Sequence, residues 1–292
     1  AGTEDVYVCE SIDDVEKAIA RIVGKRNLIG LRNLEAVLQP FVHGTEYNID
    51  VVVSNGIPRL AWIWRYKLMP SPTSAHVVRH VDLVDPESDE GKQIGDVYFR
   101  AARALGVKWG PVHLELFVDD EGPILLEGGA RIGGGLGPLT AAATDVDVWE
   151  LVADAYLTPE QFATNAHRAY RKLKHARYVA LNNFEPGRTV YLTGTSETDS
   201  PEHRLRTLPT FYGVSFSHPH GAPAPITGSI PTALGFLQLL ADDEAALDRD
   251  VAKLEAWQQD PNGFLTRPRS EPLPLVEPVL PSADVPVLGP SF

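Results

Sequence analysis

Residues 110 to 137 read GPVHLELFVDDEGPILLEGGARIGGGLG, and they gather two glutamates, an arginine and a run of glycines into one short stretch. If VHLELFV and PILLEGG are the arms of a hairpin turning at Asp120, Glu121 and Gly122, then Val118 faces Ile124, Glu115 faces Glu127 and His113 faces Gly129. Directly opposed Cβ atoms in an antiparallel pair lie roughly 5 Å apart, and like charges there repel. Leu114, Leu116, Phe117, Leu125 and Leu126 surround the two carboxylates, so water screens them poorly and a cation is the natural relief. Magnesium takes hard oxygen ligands, commonly one or two carboxylates completed by phosphates and waters. The plainer alternative is two solvated glutamates on an open sheet face. Arg131 follows four residues after Glu127 and offers a permanently charged fork for phosphate or carboxylate. Gly133, Gly134 and Gly135 then let the backbone approach a ligand closely.

This arrangement of carboxylate, turn, carboxylate, arginine and glycines resembles the ATP-grasp enzymes, and within them the carboxylate-amine ligases that include the bacterial L-amino acid ligases and D-alanine ligases. The LEGGARIGGG form is more similar to the amino acid ligase branch. The resemblance implies that Glu115 and Glu127 hold metal and that Arg131 is catalytic. It departs at Gly129, where many members carry a metal-binding asparagine whose place a water or another side chain would take. It is clear over roughly residues 1 to 165 and becomes diffuse after that.

A second block, LQPFVHGTEYNIDVVVSNG at residues 38 to 56, resembles the family segment that passes behind adenine and leads through Gly-x-Glu into a strand. Gly44 and Glu46 match, which implies that Glu46 holds the ribose hydroxyls, that Gln39 meets the adenine amino group, and that the backbone around Phe41 and Val42 reads the adenine edge. Read without the resemblance, Glu46 and Asp50 are polar residues at even spacing on a half-buried strand. Lys67 and Arg65, in IWRYKLMPSPTSAHVVRH, are candidates for phosphate, with a surface lysine and arginine as the alternative. By two-residue periodicity His113 shares the face of both glutamates, as a phosphate or substrate contact or as a satisfied histidine packed beside the hairpin.

The chain opens AGTEDVYVCES, similar to the end of the family's phosphate-covering loop, without the lysine- and proline-bearing strand that precedes it there. The only methionine is Met69. The expectation is a carboxy-terminal piece whose missing segment or companion chain supplies a first domain and the ATP-binding lysine, so that this chain alone would be inactive.

The elements needed to position these residues are legible as an α+β pattern. Ser11 caps an amphipathic helix through Val15, Ile19, Ile22 and Val23 that stops at Gly24. Strands are expected at 36 to 41, 46 to 54, 58 to 66 and 76 to 83, with a hairpin turn at Ser54, Asn55 and Gly56. One helix is expected from Asp85 and Pro86 to about Leu105, capped by Gly106, and others near 137 to 143 and 146 to 156, the last limited by Pro159. Beyond residue 170 come a strand with a turn at Glu185, Pro186 and Gly187, another near 210 to 217, and a helix from about Asp242 to Gln258. The expected fold is ATP-grasp, antiparallel sheets with flanking helices, plus a small carboxy-terminal α+β subdomain. Its divisions are a small subdomain at 1–56, a catalytic subdomain at 57–169, a carboxy-terminal subdomain at 170–267 and a proline-rich tail at 268–292, where seven prolines in 25 residues suit an extended arm able to wrap a partner subunit.

Composition narrows the class further. At 292 residues and 43% hydrophobic, the chain can bury a substantial core. A net charge of −13 argues against nucleic acid, which demands clustered Lys and Arg, and leaves room for ATP. No apolar run approaches the roughly 20 residues that span a bilayer, so a cytoplasmic location is expected. The one cysteine, Cys9, forms no internal disulfide and reads as a buried thiol on a short strand. His218 and His220 flank Pro219 with some metal character, and read better as exposed loop histidines.

The mechanism implied by the resemblance is two-step: a carboxylate attacks the γ-phosphorus of ATP to give an acyl phosphate, and an amine displaces phosphate to form an amide. ATP and Mg2+ are the implied cofactors, with Mn2+ able to substitute. The implied partners are small-molecule carboxylate and amine substrates, amino acids foremost, and a homodimer is compatible. Two alternatives stay open: an ATP-grasp enzyme of carboxylation or purine type, and a noncatalytic nucleotide-binding or scaffold protein.

Overall fold

The computed structural model describes residues 5–27, 30–74, 76–166, 168–192, 200–260 and 264–268. The chain runs α1 (Ile12–Ile22), β1 (Thr45–Ser54), β2 (Ile57–Met69), β3 (Val77–Leu83), α2 (Asp89–Ile94), α3 (Val97–Ala104), β4 (Gly110–Asp119), β5 (Gly122–Gly129), α4 (Gly137–Ala143), α5 (Val148–Leu157) and α6 (Pro159–Thr164). It continues through β6 (His175–Leu181), β7 (Arg188–Val190), α7 (Pro201–Arg206), β8 (Phe211–Phe216), β9 (Gly235–Ala241), α8 (Glu244–Gln258) and β10 (Thr266–Pro268). Eight strands form one sheet in the order β5-β4-β1-β2-β3-β6-β9-β8, each neighbour antiparallel, and β7 pairs with β10 apart from it.

The hairpin from β1 to β2 turns at Asn55 and Gly56, with φ of 48° and 77°. Two successive left-handed residues make the tight turn that matches strand twist, and asparagine followed by glycine tolerates it best. A bulge between Asp50 and Val51 shifts the register within this pair, so Asp50 faces Trp62 and Val51 faces Leu60. The result is two kinds of face. Ile49, Val51, Val53, Ile63 and Leu114 are buried among apolar neighbours on one side, while β1 turns Glu46, Asn48 and Asp50 to the other.

Two cores lie along this sheet. The first gathers Ile49, Trp62, Trp64, Leu114, Leu139 and Phe162, and the second gathers Leu181, Leu205, Leu237, Leu239 and Leu254 under α8. The sheet is continuous between them, because Val81 and Asp82 of β3 pair with Tyr178 and Arg177 of β6. The 169/170 division coincides with no boundary of core or sheet, since Tyr170 and Ala176 beyond it belong to the first core, and the 56/57 division falls in the β1–β2 turn itself. Most of the proline-rich tail lies outside the described residues.

Three expected elements differ. No strand forms at 36–41: the segment is extended but hydrogen-bonds to no neighbouring strand among the described residues, and Leu34, Val37, Leu38 and Phe41 stand exposed. The helix expected from 85 to 105 is two helices, α2 capped by Ser88 and α3 after a break at Gly95, whose φ of 56° ends α2. Cys9 is half-buried on a segment that forms no strand. α1 is as expected, with the Ser11 side chain accepting from the Asp14 N–H. No helix among the described residues is long and apolar enough to cross a membrane.

Candidate functional site

The β4–β5 hairpin brings the two glutamates together as their spacing demands. Glu115 pairs with Glu127 and His113 with Gly129, while a shift between Glu115 and Leu116 places Val118 opposite Pro123 and leaves a turn of Asp120 and Glu121 alone. The expected register is thus right at the carboxylates and one residue off at the turn. β4 also pairs with β1, which sets Asn48 opposite Glu115, Asp50 opposite His113 and Glu46 opposite Phe117. Directly paired residues share a sheet face, so Glu46, Asn48, Asp50, His113, Glu115 and Glu127 form one polar surface three strands wide.

Electrostatics measure how tightly this surface is drawn together. Burial, and then the charges of Glu115 and Glu127, push the carboxyl of Glu46 up to about 7. Glu46, one row along β1 from the opposed Glu115 and Glu127, lies within reach of their charges. The side-chain oxygen Oδ1 of Asn48 is buried there without a hydrogen-bond partner, while its Nδ2 donates to the hydroxyl of Tyr66 at 3.3 Å. Among the described residues no three His, Cys, Asp or Glu side chains enclose a cation by themselves. Two or three hard oxygens, one unsatisfied amide oxygen and an open side fit Mg2+, which keeps positions for phosphate and water.

Beside the carboxylates lies a buried chain of hydrogen bonds. Asp50, completely buried, meets His113 with 2.5 Å between Oδ1 and Nδ1, and His113 Nε2 lies 3.2 Å from Glu115 Oε1. Burial would lower the imidazole pKa, but its hydrogen bonds to Asp50 and Glu115, and their charges, raise it to about 9. His113 thus bridges the two carboxylates through both of its ring nitrogens. The second oxygen of Asp50 accepts from the N–H of Gly133 at 2.5 Å, which ties the glycine run to β1. A Cβ at Gly133 would lie 2.9 Å from His113 Nδ1, so only glycine fits this contact.

Arg131 is exposed and packs against Gly129, and its guanidinium donates only to the Ile132 carbonyl among the described residues. Burial pushes the Asp50 carboxyl up, and the hydrogen bonds of His113 and Gly133 and, last, the charge of Arg131 oppose it only in part. A long cation with few protein partners at the rim of an acidic surface is free to meet an anionic ligand.

The remaining expected residues divide. Phe41 sits at the approach to β1, 51% exposed, with its ring 4.9 Å from that of His43 and 6.2 Å from that of His76. Gln39 is exposed and Val42 half-buried on the same extended approach. Lys67 is not brought to the carboxylates: it is exposed, and its pairing with His80 places it on the opposite face. Arg65 lies on that face too, bound to Glu90 at 3.0 Å and Asp82 at 3.2 Å, in a mixed-charge cleft of 370 Å³ that also includes Lys172 and Glu244. His220 accepts from the Leu192 N–H, and His218 is half-buried.

Asp50 and Asn48 are the functional candidates that spacing alone does not single out. Their signal was present as Glu46, Asn48 and Asp50 alternating through an otherwise apolar strand, a pattern equally suited to a solvated face.

The comparisons with known proteins agree with this architecture. The chain is 23% identical over 264 residues to a protein of Enterobacter agglomerans named dapdiamide A synthase, across 89% of this chain and 60% of that one. Among solved structures it resembles an L-amino acid ligase from Bacillus licheniformis, at a TM-score of 0.60 and 18% identity over 74% of this chain and 53% of that one. It also resembles a phosphoribosylglycinamide synthetase from Anaerococcus prevotii, at a TM-score of 0.54 and 13% identity over 74% of this chain and 52% of that one. The chain thus spans between half and three-fifths of the length of these relatives. Residues 1–138 match the family model described as the ATP-grasp domain, the stretch that carries β1 to β5 and the carboxylate hairpin.

Proposed function

We propose that the chain is the catalytic part of a magnesium-dependent carboxylate-amine ligase, which joins two small molecules, amino acids foremost, by an amide bond at the expense of ATP. The observation that carries the reading is the convergence of Glu46, Glu115 and Glu127 on one sheet face beside Arg131 and a glycine loop pinned to Asp50. The relatives named as an L-amino acid ligase and a dapdiamide synthase indicate the reaction class.

Glu115 and Glu127 would hold Mg2+, or Mn2+ in its place, which supplies charge neutralisation for the phosphates. Glu46 would accept from the ribose hydroxyls, with Gln39 and the backbone at Phe41 and Val42 along the adenine. A substrate carboxylate oxygen attacks the γ-phosphorus, ADP leaves, and an acyl phosphate forms. The amine nitrogen then attacks the acyl carbon, loses a proton and expels phosphate. Arg131 faces negative charge in both steps, on the transferring phosphoryl group and on the tetrahedral oxygen, where fixed positive charge lowers the barrier most, while His113, engaged at both nitrogens, holds Glu115 in place. A cytoplasmic location, where ATP is plentiful, suits this reaction.

Phosphate release from ATP by the full protein should rise on adding amino acids with Mg2+. Glu127→Gln should cut it by about a hundredfold or more, the scale of a lost electrostatic stabiliser. Retained turnover in that variant would remove Glu127 from the metal site.

A further inference from the structure

The loop after Arg131 crosses the sheet. At Gly133 it is bonded to Asp50 on β1, and at Gly135, with φ of 79°, a Cβ would come within 2.7 Å of the hydroxyl of Tyr178 on β6. A single row of paired residues carries the polar face in the same direction. Tyr66, whose hydroxyl takes the Asn48 hydrogen bond, pairs with Val81, Val81 with Tyr178, Tyr178 with Gln238, and Gln238 with Gly213. At about 4.8 Å per strand, Tyr178 lies about 10 Å and Gln238 about 14 Å from Tyr66, within the length of a small substrate.

This end of the face is built yet half-exposed. Phe236 stacks on Tyr178 with centroids 4.9 Å apart and planes at 15°. The Gln238 side-chain amide is half-exposed and makes no hydrogen bond among the described residues. Gly213 opposite it leaves room, since a Cβ there would meet only the Gln238 amide, at 3.5 Å. The other side of the same strands packs Val179, Leu181, Leu237 and Leu239 into the second core, while Tyr178 borders the first core and Phe236 belongs to neither. Charge is absent. Burial raises the Tyr178 phenol, the Ser215 hydrogen bond opposes it, and no ionised group contributes. Arg79, the nearest cation on β3, is turned away to Glu255.

We propose that Tyr178, Phe236 and Gln238 form the side-chain recess for one of the two substrates, and that this substrate is an amino acid with a neutral, apolar or aromatic side chain. The proposal rests on the ligase reading. The continuous face joins the recess to the carboxylates, the stacked rings give an apolar wall, and a charged side chain would find no counter-ion there to offset its desolvation. Gln238 supplies a donor and an acceptor at the far end.

The test measures phosphate release by the full protein with leucine, phenylalanine, glutamate and lysine in turn, together with calorimetric binding of each amino acid. Phe236→Ala should raise KM for the preferred neutral amino acid about tenfold, the scale of a shortened apolar contact, and leave KM for ATP unchanged. Gln238→Lys, at a half-exposed position that does not threaten folding, should shift preference towards glutamate. Unchanged amino acid KM values in both variants, or a wild type that prefers glutamate or lysine, would overturn the recess while the ligase reading stands. If no amino acid binds or releases phosphate in the wild type, the ligase reading falls and the recess falls with it.

Discussion

Asp50 shows how one residue joins several functions. Its two oxygens are committed to His113 and to the Gly133 N–H, in a position with no access to water. Removing one partner of such a buried pair leaves the other unpaired, so Asp50→Ala should cost roughly 3 kcal/mol in urea unfolding. A loss well under 1 kcal/mol would show that the pair carries no weight. Glu46 makes a prediction of the opposite kind. Its carboxyl titrates near 4.5 unfolded and near 7 folded, so between those values the folded protein holds a proton that the unfolded chain releases. Its contribution to stability is full at low pH and lost as pH rises through 7. Unfolding midpoints should therefore fall from pH 5 to pH 7.5, less steeply in Glu46→Gln and less steeply with Mg2+ present. At this scale the pairing of Glu115 with Glu127 was legible through spacing, because a hairpin fixes which side chains meet. Asp50 was hidden because its partner stands 63 positions away on a strand whose pairing spacing does not specify.

The elements were legible where local rules decide them. Ser11 as a cap, Asn55-Gly56 as a turn and α8 as a helix each follow from propensity and pattern, and each is present. Where tertiary contacts decide, the pattern misled. The apolar run at 36–41 reads as a strand, yet a strand exists only with a partner to bond. The run from 85 to 105 reads as one helix, but Gly95 adopts a left-handed conformation and splits it. The glycine loop is the element on which the site turns. Gly133→Ala would drive a methyl against His113 and Asp50 at 2.9 Å to 3.3 Å, so phosphate release should fall by tenfold or more, on the order expected for a displaced catalytic group, while the fold persists. Near-normal activity would show that the loop's grip on Asp50 is dispensable.

At the scale of the molecule, two cores share one sheet, and the β3–β6 seam carries the buried Asp82–Arg177 pair at 2.5 Å. A shared sheet transmits opening of one core to the other. Denaturant unfolding should be a single transition, coincident by far-UV circular dichroism and by tryptophan fluorescence, since Trp62 and Trp64 report the first core and Trp257 the second. Two separated transitions would make the halves independent. The sequence indicated a second region beyond residue 170 but not its continuity with the first, because strand order is set by pairings between distant segments. In the proposed reaction this face passes a phosphoryl group from ATP to a carboxylate, and labelled oxygen reports that transfer. With the substrate amino acids carrying 18O in their carboxyl groups, one labelled oxygen should appear in each phosphate released with ADP. Phosphate released without label would mean that water, not a carboxylate, attacks ATP, and would contradict the acyl phosphate route.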